Sequence, residues 1–101
     1  MGQSYGTVMI GKLNTDFDAV EAASARWAQE RQVPGFQHQE VMLCDDGKTV
    51  VMSVWFDSAE SYKALADDPE QAIWYEKVMA PMLDGDPQWL DGTWKFSVDA
   101  T

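Results

Sequence analysis

The sequence predicts an α+β domain in the order β-α-β-β-α-α-β, with one four-stranded antiparallel sheet covered by helices on one face. Two observations predict this fold class. Short segments of alternating side chains are separated by longer segments with helical spacing. The length of 101 residues suits one domain, so residues 1–101 are expected to fold as a unit.

The chain begins with a predicted strand and a predicted helix. GTVMIGKL, residues 6–13, is short and alternates its apolar side chains between two faces. An alanine-rich segment with helical spacing then covers residues 16–32. Thr15 and Asp18 have the spacing of a capping box at its start, and the Pro-Gly pair at 34–35 stops it.

A β-hairpin follows the first helix. GFQHQEVMLC, residues 35–44, and TVVMSVWF, residues 49–56, are two strand-like segments separated by DDGK. Asp46 and Gly47 suit a tight two-residue turn, so the two segments are expected to pair antiparallel.

Two helices and a last strand complete the order. Asp57 or Ser58 caps a short helix, and DPEQ, residues 68–71, is a stronger helix start with Asp at the N-cap and Pro after it. This third helix is expected to end at Pro81. QWLDGTWKFSV, residues 88–98, alternates as the fourth strand. Two β-α-β halves with a central hairpin make a ferredoxin-like sandwich.

The strand at residues 49–56 is apolar on both faces, which a sheet covered on one face does not explain. One face packs under the helices, whereas Trp55 lies on the face that a monomer would leave in water. Other strands are expected to add apolar groups to that face: Met9 or Ile10, Phe36 or Val41, and Trp89 or Phe96. We therefore predict a homodimer that joins the two bare sheet faces.

Composition excludes several classes of function. The formal charge of −10 argues against binding to nucleic acid or to an anionic membrane, because both select clusters of Lys and Arg. The single cysteine, Cys44, rules out an internal disulfide. Because neither a signal peptide nor a membrane span is visible, we expect a cytoplasmic protein.

The run VVMSVWFDSAESYKALADDP, followed by WYEKVMAPML, resembles the dimeric α+β barrel superfamily, and within it the antibiotic biosynthesis monooxygenase-like domains. The resemblance spans about residues 5–98. It implies a homodimer whose sheets form a barrel, with a cavity in each subunit between the sheet and the helices. Some members of this superfamily are cofactor-free oxygenases that convert anthrone-type polyphenols to quinones, others degrade haem, and related branches are isomerases or decarboxylases.

At the positions that characterise the haem-degrading branch, this chain carries different residues. Its enzymes carry an Asn late in strand one, a Trp after strand three and a haem-ligating His on the next helix. The matching positions hold Gly11, Leu65 and either Trp74 or Tyr75. The sole histidine, His38, lies in strand two, so no haem is expected.

A cofactor-free oxygenase needs an apolar slot, a proton acceptor and hydrogen-bond donors for the developing oxyanion. His38 and Tyr62 are the candidates for handling the proton. The residues expected to line the slot around a small aromatic ligand are Trp27, Trp55, Trp74 and Tyr75. Some of these oxygenases place an Asn at the start of the helix after strand three, and this chain has none there.

Other interpretations of the same residues stay open. His38 and Glu40 share a strand face and could hold a metal, but no third ligand is visible, so no metal is expected. The aromatic candidates are also ordinary core residues. Three functions remain: an oxygenase or isomerase acting on an aromatic or polyketide-like substrate, a module that binds such a ligand without turnover, and a structural dimer with a filled cavity.

Overall fold

The computed structural model describes residues 3–100 and has the predicted order of elements. The strands are β1 (Tyr5–Lys12), β2 (Phe36–Leu43), β3 (Thr49–Phe56) and β4 (Gln88–Thr93). The helices are α1 (Phe17–Arg31), α2 (Ala59–Ala66) and α3 (Pro69–Trp74), and α3 continues as a π-helical segment (Tyr75–Met79) and a 3₁₀ turn (Ala80–Met82). One antiparallel sheet with the order β2-β3-β1-β4 confirms the ferredoxin-like α+β fold.

The core lies between the sheet and the helices, and β3 supplies most of it. Its side chains alternate strictly, so that every second one is buried against the helices. The buried cluster consists of Met9, Val50, Met52, Val54, Phe56, Met79 and Leu83. Burying an apolar side chain of this size stabilises the fold by about 1.5–3 kcal/mol, so this face of β3 anchors the layer of helices.

The opposite face of β3 is apolar as well, as the sequence predicts. Trp55 is half-buried there because its ring stacks on Trp94, with the ring centroids 4.3 Å apart and the planes 16° from parallel. The strand register places further apolar residues on this face. We call it the open face and define it by Val8, Ile10, Met42, Val51, Trp55, Leu90 and Trp94.

Several residues lie on a different face from the one expected. Phe36 and Val41 pack against the core, and Trp89 pairs with Met9 on the helix side of the sheet. β4 ends at Thr93, because Thr93 pairs with Tyr5, the first residue of β1, so the ladder has no partner strand beyond it. Residues 94–98 therefore do not continue the strand.

The predicted helix starts are partly confirmed. The Ser58 hydroxyl accepts a hydrogen bond from the Ser61 backbone N–H at 3.1 Å, and Asp68 caps α3 by accepting from the Glu70 N–H at 3.0 Å. The capping box predicted for α1 is wrong, because the N-cap is Asp16 and it makes no side-chain cap bond.

The hairpin loop is longer than the predicted two-residue turn. The Cys44 N–H donates to the Thr49 carbonyl at 2.8 Å, which leaves four residues, 45–48, in the loop. Asp46 organises them by accepting from two backbone N–H groups and from the Thr49 hydroxyl, the latter at 2.6 Å. Hydrogen bonds to Thr49 and Lys48 lower the pKa of Asp46 to about 2. Gly47, at φ 72°, supplies the left-handed residue.

The helical backbone that continues α3 ends at Met82, one residue beyond Pro81, which agrees with the end expected from the sequence. Pro81 lies near the start of the 3₁₀ turn Ala80–Met82, where its missing N–H leaves no helical hydrogen bond broken. The change of helix type therefore allows the helical backbone to pass the proline.

Position 6 in β1 has to be a glycine, because Trp94 of the open face packs closely against it. The Trp94 indole N–H donates to the Val54 carbonyl at 3.2 Å, and a Cβ on Gly6 would overlap that carbonyl oxygen and meet the indole nitrogen. We expect Gly6→Ala to lower the free energy of unfolding by about 1–3 kcal/mol, as overpacking does. Urea unfolding measures this change.

Gly92→Ala is the matched control. Gly92 pairs with Gly6 in the ladder between β1 and β4, and a Cβ there meets nothing within 4 Å. Equal destabilisation by the two substitutions would contradict the account of Gly6.

Candidate functional site

A cavity of about 590 Å³ lies between the helix side of the sheet and the helices. All three helices and β1 to β4 contribute to its lining. Its aromatic wall consists of Trp27, Phe56, Tyr62, Trp74, Tyr75 and Trp89. The volume lies within the range of small-molecule sites, which are mostly apolar clefts with a few polar groups.

Edge and tilted contacts between rings hold the aromatic wall in place. Trp27 meets Phe36 edge-on at a centroid distance of 5.2 Å and lies 6.3 Å from Trp74. On the other side, Tyr75 and Trp89 are 5.9 Å apart. Each of these rings contacts another ring of the wall or the core. These contacts keep the cavity open without a ligand.

The π-helical segment brings two adjacent aromatics to the same cavity. In a regular α-helix, neighbouring side chains point about 100° apart, so Trp74 and Tyr75 are not expected to face one site together. α3 ends at Trp74 and the wider turn begins at Tyr75. A π turn holds more residues, so adjacent side chains diverge less. Both residues line the cavity.

Tyr62, on α2, supplies a hydroxyl to the cavity. Its Oη donates to Asp91 Oδ1 at 2.9 Å, and the buried Thr7, whose hydroxyl donates to the Leu90 carbonyl at 3.3 Å, lines the cavity as well. Burial, more than the neighbouring carboxylate, raises the pKa of Tyr62 to about 12. The phenol is therefore protonated at neutral pH, so Tyr62 acts through its hydroxyl and not as a stored phenolate base.

A second polar group enters the cavity from α3. Gln71 lines it and accepts hydrogen bonds at Oε1 from Trp27 Nε1, at 3.0 Å, and from Arg31 Nη1, at 3.4 Å. Arg31 is held in turn by Asp68 at 2.9 Å. The Gln71 side chain therefore reaches α1 and does not close a capping box with Asp68 at the start of its own helix.

Ser24 is the third polar residue of note. It lies on α1 and lines the cavity, and its Oγ is buried with no hydrogen-bond partner among the described residues. Leaving a buried hydroxyl unpaired costs about 1–3 kcal/mol, and such groups in native proteins usually have an explanation.

The expected site residues are divided between two faces of the sheet. Tyr62, Trp27, Trp74 and Tyr75 line the cavity, whereas His38 and Trp55 do not. His38 lies on the opposite face, with its ring 5.1 Å from Trp55. The expectation that His38 and Trp55 belong to the cavity is therefore wrong.

A β-bulge explains where His38 lies. Phe36 pairs with Phe56, and the register then shifts so that His38 pairs with Trp55 on the opposite face. In a regular strand, residues 36 and 38 would share the helix side. Because of the extra residue, Gln39 lines the cavity in place of His38.

The His38 side chain pairs with Glu40 as the sequence predicts. Nε2 of His38 lies 3.1 Å from Oε1 of Glu40, and both side chains are exposed. Across residues 3–100, no three His, Cys, Asp or Glu side chains come together as metal ligands. Within the same range, no helix is both long and apolar enough to cross a membrane.

Six polar residues of the site are missing from the sequence-based set. Asp91 carries no local signal, because only the pairing of β1 with β4 brings it beside Thr7 and Tyr62. Glu76, at the exposed rim, follows Tyr75 in the π segment. The remaining four are Thr7, Ser24, Gln39 and Gln71. Helical spacing from Asp68 could have indicated Gln71, which lies three residues later.

Comparison with solved structures shows the fold of the chain. It is similar to a monooxygenase from Streptomyces coelicolor, solved in complex with nanaomycin D, with a TM-score of 0.80 and 23% identity. The match covers 98% of this chain and 94% of that one. No protein-family model and no curated protein matches the sequence.

Two further solved structures are similar to this chain. SnoaB, a cofactor-independent oxygenase from Streptomyces nogalater, matches with a TM-score of 0.69 and 13% identity over 99% of this chain and 97% of that one. A dimeric ferredoxin-like protein of unknown function from Thermobifida fusca matches with a TM-score of 0.66 and 16% identity over 93% of each chain. The chain therefore shares the ferredoxin-like α+β fold of these proteins.

The raised pKa of Tyr62 predicts a late ionisation step. The folded protein keeps Tyr62 neutral up to about pH 12, whereas a tyrosine in the unfolded chain has its ordinary pKa of 10.0. The free energy of unfolding is therefore expected to fall as the pH rises from about 10 to about 12. Tyrosinate absorbance, read directly after a rapid pH jump, should show a step near pH 12.

Tyr62→Phe should remove that step and Tyr5→Phe should keep it. Tyr5 is a close control, because its ring lies 5.6 Å from that of Tyr62 and it is not part of the cavity lining. Burial also raises the pKa of Tyr75, so the decisive comparison is the amplitude of the step near pH 12: an amplitude equal to that of the wild type in Tyr62→Phe would contradict the assignment.

Proposed function

We propose that this domain is a cofactor-independent monooxygenase that oxidises a flat phenolic, polyketide-like aromatic held in the cavity. The observation that carries the proposal is the cavity itself. It offers about 590 Å³ between aromatic walls, with the Tyr62 hydroxyl and the Gln71 amide among its few polar groups. Structures of the same fold include a monooxygenase in complex with nanaomycin D and a cofactor-independent oxygenase.

The proposed reaction needs no cofactor to balance. An electron-rich phenol loses a proton, and the resulting carbanion passes an electron to O₂. The two radicals combine to a peroxide anion, which takes up one proton to become a hydroperoxide and then loses water. A ring CH₂ thus becomes a C=O, while one oxygen atom of O₂ enters the product and the other leaves as water. The protein has to bind the ring, accept the proton and exclude bulk water.

Tyr62 and Asp91 are suited to accepting that proton together. Because the Tyr62 O–H already donates to Asp91, the lone pairs of its oxygen can accept a hydrogen bond from a substrate hydroxyl. As the substrate proton moves to Tyr62 Oη, the tyrosine proton moves to Asp91 Oδ1. Asp91 is exposed and can release it to solvent. This relay avoids a free phenolate, which the high pKa of Tyr62 disfavours.

The alternative function is binding without turnover. The same cavity would hold the same class of ligand, and the Tyr62 hydroxyl would then serve as an anchor only. Oxygen consumption separates the two functions, because binding alone leaves O₂ untouched.

Oxygen uptake with dihydroxyanthrone tests the proposal. We expect wild-type protein to consume one O₂ for each quinone formed, and Tyr62→Phe to lower kcat by about 10²-fold, the usual contribution of acid-base catalysis. Dissociation constants should rise by no more than about tenfold, because one hydrogen bond to the ligand is lost while the ring of residue 62 remains.

Tyr5→Phe is the control and should retain wild-type kcat. Wild-type protein that binds dihydroxyanthrone but consumes no more oxygen than buffer would reject the enzyme and support the binding function.

We infer that the open face binds a second copy of this chain, as expected from the sequence. Its residues Met42 and Leu90 are 57% and 51% exposed, next to the Trp55 and Trp94 stack. A contiguous apolar patch of this kind on a small domain indicates an interface. Twofold pairing of two identical sheet faces would bury this apolar patch. A structure of the same fold is described as dimeric.

Leu90→Asp is expected to convert the dimer to a monomer of 11.3 kDa, because it places a charge within the open face. The matched control is Ile73→Asp on α3, since Ile73 and Leu90 are both 51% exposed. Light scattering at micromolar concentration measures both masses. A wild-type protein that is already monomeric would contradict the inference.

A further inference from the structure

We propose that the Gln71 side-chain amide binds a ring oxygen of the ligand and thereby sets the specificity of the cavity for oxygenated polycycles. This inference rests on the proposed function, because it concerns the same ligand. It assigns a residue and a ligand group that the oxidation chemistry alone does not require.

The orientation of the Gln71 amide follows from its partners. Trp27 Nε1 and Arg31 Nη1 both donate to one oxygen of the side chain. An indole N–H and a guanidinium group can only donate, so the oxygen and not the nitrogen of the amide has to face them. The two atoms of the amide cannot exchange places without breaking both hydrogen bonds.

The NH₂ group of the Gln71 amide consequently remains available for a hydrogen bond to a ligand. Gln71 lines the cavity, and its nitrogen donates no hydrogen bond to the residues that the structure describes. An amide NH₂ carries two donor hydrogens, so a ligand in the cavity would find two unused donors whose direction is already set. Such preorganised donors lose little freedom when a ligand binds.

Ser24 adds a second polar group at the end of the cavity where Gln71 and Trp27 lie. It lies one turn before Trp27 on α1, and its buried Oγ lacks a partner among the described residues. Residues three apart are neighbours on a helix surface. The side of the cavity around Trp27 thus combines the unused donors of Gln71 with an unpaired hydroxyl, while the rings around it are apolar.

The group that fits the NH₂ donors is a hydrogen-bond acceptor attached to a flat apolar ring system, which means a carbonyl or phenolate oxygen. Tyr62, on α2, takes a different oxygen through its hydroxyl. A ligand held by both groups carries oxygens at two places on its rings. Sites built to hydrogen-bond a polar group discriminate strongly against analogues that lack it.

The test compares anthraquinone with anthracene, which share a ring skeleton and differ in two carbonyl oxygens. Binding is followed by quenching of tryptophan fluorescence, because Trp27 and Trp74 line the cavity. Gln71→Glu keeps an oxygen for Trp27 and Arg31 but replaces the NH₂ donors with a second oxygen. We expect it to raise the Kd for anthraquinone by about tenfold and to leave the Kd for anthracene within about twofold.

Gln29→Glu is the matched control, since Gln29 is exposed on α1 and is not part of the cavity lining. It should bind both ligands as the wild type does. Gln71→Met serves as a second variant in case Gln71→Glu does not fold, which thermal unfolding would reveal. It removes the donors without adding charge and should lower the preference for anthraquinone over anthracene by the same factor.

The outcomes separate the two proposals. If wild-type protein binds anthraquinone and Gln71→Glu binds it equally well, the role of Gln71 is wrong and the proposed function stands. Equal weakening for both ligands also overturns the role, because it shows a structural defect. If wild-type protein binds neither anthraquinone, anthracene nor dihydroxyanthrone, the proposed function fails and this inference fails with it.

Discussion

The rest of the structure depends on the alternation of side chains along β3. Val50, Met52, Val54 and Phe56 are buried on one face and hold the helices to the sheet. The same strand places the half-buried Val51 and Trp55 on the other face, so one segment of eight residues organises both surfaces. Because strand periodicity is two, neither face can be changed by a register slip without reversing the other.

The cavity exists because aromatic side chains separate the helices from the sheet. Trp27 and Trp74 stand between α1 and α3, and Tyr75 contacts Trp89 of β4. These large rings contact one another at their edges and leave space in the middle, where aliphatic residues would have closed it. The few polar groups, Tyr62 and Gln71, are tied to partners in the wall and so present defined atoms to a ligand.

Two departures from regular backbone geometry decide which residues enter the site. The bulge between Phe36 and His38 directs His38 away from the cavity and brings in Gln39. The π-helical turn that begins at Tyr75 allows Trp74 and Tyr75 to share one space. Neither departure has a sequence signal comparable to the turn and capping residues, because each depends on how neighbouring elements pack.

The amino-acid sequence by itself determined the order of the elements, the hairpin, the caps at Ser58 and Asp68, and the apolar character of both faces of β3. These features follow from local spacing and from the chemistry of single residues. Only the tertiary structure decided that Tyr62 meets Asp91 and that Trp27 and Arg31 orient Gln71. The partners in these contacts are 29 to 44 residues apart along the chain, so strand register and helix packing, and not local sequence, bring their atoms together.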